Sequence, residues 1–72
     1  MDLLEIEQTE TLRREEVAER LHALADSLAR HNDVEFDRGG VHFKLKVPDE
    51  IQVKVELEVG GDETELEIEL TW

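Results

Sequence analysis

The sequence predicts an α+β domain: one helix packed on one face of a five-stranded, mainly antiparallel sheet, in the order β-α-β-β-β-β. Two patterns carry this reading. Apolar residues recur at helical spacing in one segment and alternate with charged ones in five others. The breaks between alternating segments are short and built from glycine or proline, which suits a meander of hairpins.

The elements follow in order. Leu3 to Glu7 alternates briefly, with Leu4 and Ile6 on one side, and is expected as a short first strand. TLRREEVAERLHALADSLARHN reads as the helix. Val17, Leu21, Leu24 and Leu28 form one apolar stripe, with Ala18 and Ala25 beside it. Thr11 is the expected N-cap. Glu15 and Glu16 at the start, and Arg30 and His31 at the end, suit the helix dipole. Glu16 with Arg20 and Asp26 with Arg30 are acid-before-base pairs one turn apart. Asn32 suits the left-handed residue that ends many helices.

From Val34 onward the period is two. Val34 and Phe36 mark the second strand; Val41, Phe43, Leu45 and Val47 the third; Ile51, Val53, Val55, Leu57 and Val59 the fourth; Leu66, Ile68, Leu70 and Trp72 the fifth. Gly39-Gly40, Pro48-Asp49-Glu50 and Gly60-Gly61-Asp62-Glu63 connect them. A strand apolar on one side and charged on the other belongs to a sheet covered on one face, and the helix is the expected cover. The first strand is expected at the edge beside the fifth, so that the helix crosses the sheet diagonally; pairing parallel to the second strand is the alternative.

Side-chain parity restricts register. Phe36 is expected opposite Val41, Val34 opposite Phe43 and Glu35 opposite His42. Across the Pro48 connection, Leu45 faces Val53, His42 faces Glu56, Lys44 faces Lys54 and Lys46 faces Gln52. The last hairpin allows Leu57 opposite Ile68 or opposite Leu66. Trp72 shares the parity of the apolar residues and is expected to close the end of the core, opposite Val53 or Ile51.

Seventy-two residues make a single domain, 1–72, with a modest core. Twenty Asp and Glu against eight Lys and Arg give a net charge of -12. Direct nucleic-acid binding is not expected, because that affinity comes from basic neutralisation of phosphates. The acids are spread along the chain. They fit solubility or adaptation to a salt-rich interior better than a dedicated face for a basic partner or cation. Strict periodicity argues against disorder.

Without cysteine there is no disulfide, thiolate ligand or Cys nucleophile. No run is long enough to span a membrane. The opening MDLLEIEQ is acidic and lacks the pattern of a secretory leader, so the expected location is the cytoplasm.

Chemistry is sparse. Ser27 has no nucleophile elbow around it, and the Gly pairs are turns without a phosphate-loop pattern. His22 and His31 lack the spacing of a helical metal pair. Paired acids on an open strand lack the desolvation that acid–base work needs. Catalysis and cofactors are therefore not expected. The binding candidates are His42, Lys44, Lys46, Lys54 and Trp72. A row of Glu35, His42 and Glu56 is the alternative, as a metal or small-ligand site. As a solvated side chain, His42 is expected to have its pKa raised by nearby carboxylates.

Several of these stretches point to one family. The helix opening LRREEVAERLHALADSL, the segment PDEIQVKVELEVGGDETELEIEL and the acidic amphipathic end closed by Trp72 together resemble the amphi-Trp domain, a small domain of salt-loving archaea that also occurs in bacteria. The resemblance covers nearly the whole chain. It implies a β-α-β4 arrangement, no established activity and no catalytic residues to transfer, and it favours salt adaptation as the cause of the acidity. One departure concerns the helix cap: the family has a serine before Arg-Glu-Glu, where this chain has Arg13. The expected function is a non-catalytic protein-interaction or accessory module of a salt-adapted cytoplasm, with a protein partner or a second copy of the chain. The alternative is ligand or metal binding around His42.

Overall fold

A computed structural model describes residues 4–72. Residues 4–13 carry no regular structure. Helix α1 spans Arg14–Asp26 and continues as a π-helical turn, Ser27–His31. Four strands follow: β1 Asp33–Arg38, β2 Val41–Lys46, β3 Gln52–Val59 and β4 Thr64–Thr71. The chain is thus α+β, but its sheet is not five-stranded. Among the described residues β1 pairs only with β2 and β3 only with β4, each pair antiparallel.

The helix ends are set by local chemistry. Arg13 takes the N-cap position with extended backbone (φ -69°, ψ 149°) but offers no side-chain cap, so the cap lies two residues beyond the expected Thr11. Its carbonyl accepts from the amides of Glu16 and Val17 at 3.0 and 3.1 Å. Glu15 and Glu16 lie in the first turn, and Arg30 and His31 in the last. Asn32 closes the helix in the left-handed region (φ 54°), where a short polar side chain is tolerated. Its carbonyl accepts from the Val47 amide at 2.8 Å, which extends the β1–β2 ladder into the helix terminus.

Gly39 and Gly40 both have positive φ (59° and 79°) and form a two-residue hairpin loop of the kind that matches strand twist. This loop fixes the register: Phe36 lies opposite Phe43, Val34 opposite Leu45, Glu35 opposite Lys44 and Asp37 opposite His42. The expected pairs Phe36–Val41 and Glu35–His42 are displaced by two positions, with faces unchanged. The tighter loop also sets three opposite-charge pairs across the hairpin, Asp33–Lys46, Glu35–Lys44 and Asp37–His42, which favours it. In β3–β4 the second of the two expected registers holds, with Leu57 opposite Leu66 and Glu56 opposite Glu67.

The expected β2–β3 ladder is not formed among the described residues; one like-charge pair and the Pro48 connection weigh against it. That ladder would set Lys44 against Lys54. The separate hairpins place Lys44 opposite Glu35 and Lys54 opposite Glu69 instead. Pro48 also interrupts the connection, supplying no donor and no tight turn.

The expected first strand is not formed among the described residues. Leu3 lies outside the described residues, and residues 4–7 are irregular. Arg38 Nη1 donates to the Glu7 carbonyl at 2.9 Å, which ties this segment beside β1 and not beside the last strand.

The helix does not cover an apolar sheet face. The cleft between α1 and β1 is lined by Arg20, Ala23, Leu24 and Ser27 on the helical side and by Glu35 and Asp37 on the strand. At this cleft β1 therefore turns its carboxylates toward the helix. Among the described residues no apolar side chain is fully buried; Asp33, at 2% exposure, is the one buried residue.

Candidate functional site

The hairpin β1–β2 has two unlike faces. Val34, Phe36, Phe43 and Leu45 share one. Asp33, Glu35 and Asp37 on β1, with His42, Lys44 and Lys46 on β2, share the other. On this second face the His42 imidazole lies between two carboxylates. Its Nδ1 is 2.5 Å from Asp37 Oδ1, and its Nε2 is 3.8 Å from Glu35 Oε1. The pKa of His42 is raised above its ordinary 6.5, first by the hydrogen bond to Asp37 and then by the charges of Asp37 and Glu35, with desolvation and Lys44 opposing. The positively charged ring is therefore favoured, held across the hairpin by Asp37 and diagonally by Glu35.

Lys44 Nζ lies 3.4 Å from Asp33 Oδ2. A carboxylate at the helix–strand junction, buried as deeply as Asp33 is, needs such a partner, because burial of an unpaired charge is costly. Arg20 on α1 pairs with Glu10 of the irregular segment, not with the expected Glu16.

The other candidates lie elsewhere. Lys54 is on β3, 3.5 Å from Glu56 of the same strand. Lys44, Lys46 and Lys54 therefore do not form one basic patch. Lys44 and Lys46 stand among acids on one hairpin, and Lys54 among acids on the other. Glu56 is likewise on β3, in the sheet that does not contain His42. Among the described residues no group of three or more His, Asp or Glu side chains has a geometry suited to a metal ion. Asp37 was not among the sequence candidates. The two-residue Gly39-Gly40 loop is the signal that finds it, because closing that loop sets Asp37 directly opposite His42.

Trp72 follows β4 at the open end of the second hairpin. With Glu50, Ile51, Gln52 and Thr71 it lines an open pocket of about 450 Å³. Trp72 is 50% exposed, so it borders the apolar layer without being enclosed by it, where the sequence predicts that it closes the core. Along β3–β4, Val53 faces Leu70, Val55 faces Ile68 and Leu57 faces Leu66, an uncharged face that runs up to Trp72. The opposite face sets Glu56 against Glu67 and Glu58 against Glu65. No helix among the described residues is long and apolar enough to cross a membrane.

These features define a class: a small, strongly acidic α+β module whose hairpins each carry a charged face and an apolar one. The chain belongs to the Amphi-Trp domain family, whose model matches residues 1–72. No curated protein and no solved structure matches it.

Proposed function

We propose that this chain is a non-catalytic protein-interaction or accessory module of a salt-adapted cytoplasm. The observation that carries the reading is the uncovered apolar face of β3–β4, where Val53, Val55, Leu57, Val59, Leu66 and Ile68 are 53% to 72% exposed. Large exposed apolar patches rimmed by polar groups mark sites of association. Trp72 is an aromatic anchor at the end of that face, of the kind that dominates contact energies. His42, Lys44, Lys46 and Lys54 supply charge-bearing contacts on the polar faces. The net charge of -12 favours solubility and disfavours nucleic acid as a direct partner.

Affinity capture from native lysate in molar KCl tests the reading, with the wild-type chain and the Val55→Lys variant as paired baits. A saturable protein retained by the first and lost by the second is expected. Equal capture by both sinks the proposal.

A second reading, metal or small-ligand binding by Glu35, His42 and Glu56, draws on the imidazole held between carboxylates. Its difficulty is that Glu56 stands on the other hairpin. Zinc titration followed by NMR separates the two readings. Shifts confined to this row at micromolar metal would favour the site. Diffuse, weak shifts would favour a solvated charged face.

A further inference from the structure

Residues 7–10 join the two walls of the cleft between α1 and β1. On the strand side, Arg38 Nη1 donates to the Glu7 carbonyl at 2.9 Å, and Gln8 Nε2 donates to the Asp37 carbonyl at 3.4 Å. Two residues on, the Glu10 carboxylate pairs with the Arg20 guanidinium of α1. Arg20 and Asp37 both line the cleft, a space of about 300 Å³ shared with Ala23, Leu24, Ser27 and Glu35. The segment thus runs as a strap from the hairpin end of β1 to the middle of the helix.

The residues of the strap say how firmly it holds. Glu7, Gln8, Thr9 and Glu10 are all polar and all exposed, so no apolar burial fastens them. What ties them down, among the described residues, is two exposed hydrogen bonds and one surface ion pair. Exposed hydrogen bonds compete with water and contribute little net. Arg20 and Glu10 are 61% and 47% exposed, so salt screens their attraction.

The other end of the cleft is built differently. There the helix passes through Asn32 into β1, and the Asn32 carbonyl holds the Val47 amide at 2.8 Å. Beside it the buried Asp33 carboxylate meets Lys44 Nζ at 3.4 Å. A pair made by so deeply buried a carboxylate is screened much less than one at the surface.

We propose that residues 7–10 are a salt-released strap. At low ionic strength it is closed and holds the helix to the hairpin end of β1. In molar salt it opens, and the Asn32–Asp33 junction alone joins helix and hairpin. The sign is set by charge. Most of the electrostatics of a chain of net charge -12 is repulsion between carboxylates, which salt relieves. The Glu10–Arg20 pair is an attraction and weakens as salt rises. Overall stability and strap closure therefore respond to KCl in opposite directions. Release frees the guanidiniums of Arg20 and Arg38 from Glu10 and Glu7 and lets the cleft widen. The inference is independent of the interaction-module reading and stands whatever that reading's fate.

The test is backbone ¹⁵N relaxation of the full chain in low and molar KCl. At low salt, order parameters for residues 7–10 are expected near about 0.85; in molar KCl they should fall below about 0.6. Amides of Asp33–Lys46 should keep their order at both. Glu10→Gln should leave the strap mobile at either salt. Exchanging the charges, Glu10→Lys with Arg20→Glu, should restore ordering at low salt and its loss at high salt. A wild-type strap equally ordered in molar KCl overturns the proposal, as does one already mobile at low salt. So does a junction that loosens together with the strap, or a Glu10→Gln strap as ordered as the wild type. The wild-type comparison decides even if the exchanged variant fails to fold.

Discussion

His42 shows how a single residue reports on the hairpin that holds it. Its carboxylate neighbours come from the facing strand, so the charge on the imidazole is coupled to strand pairing. The folded pKa lies above the unfolded value of about 6.5. The stabilisation is therefore fully present below that value and is lost as pH rises through the folded pKa. The ring is well exposed, and the effect on overall stability is expected to be small. An NMR titration should show that Asp37→Asn returns His42 toward 6.5 and that Glu35→Gln moves it less, in keeping with the 2.5 and 3.8 Å separations. Equal effects of the two substitutions would overturn this account.

Loop and cap residues govern the next scale. Arg13 has the backbone of an N-cap without a capping side chain, and Glu16 sits three residues on. Arg13→Ser would complete the serine–glutamate reciprocal cap and is expected to stabilise the chain by about 0.5–1 kcal/mol. For a chain of this size that is a rise of a few degrees in Tm by calorimetry. Gly40 tests the opposite sign. A Cβ added there meets nothing within 4 Å, so the cost of Gly40→Ala is conformational alone: about 1–2 kcal/mol for a side chain held at φ +79°. The same substitution at Gly61, which also meets no neighbour and lacks positive φ, should be close to neutral. Equal losses at both sites would show that φ is not the cause.

At the scale of the whole molecule, charge and size meet. The chain measures 38 × 30 × 29 Å. At 0.01 M salt the Debye length is about 30 Å, so nearly every carboxylate acts on every other; at 1 M it is about 3 Å, and only neighbours do. Thermal stability is therefore expected to rise substantially from low to molar KCl. A melting temperature flat across that range would remove salt adaptation as the reason for the acidity. Dilution supplies a further check: if a second copy covers the apolar strip, the melting temperature in molar KCl falls as the chain is diluted.

Much of this was legible in the residues. Period alone marked the helix, the four strands from Val34 onward and the faces of each strand, because side-chain direction is local. Asn32 announced the end of the helix, and the Gly pairs announced the hairpins. The raised pKa of His42 followed from the density of carboxylates around it, but its principal partner did not. Asp37 was found only when the two-residue Gly39-Gly40 loop fixed the register. What tertiary structure alone decided is which strands share a sheet, which face of β1 meets the helix, and that among the described residues Asp33 rather than a leucine is buried. Local periodicity fixes which side of a strand is apolar. Pairing is non-local, and here the opposite charges across the first hairpin and Pro48 at the junction go with one expected sheet divided into two.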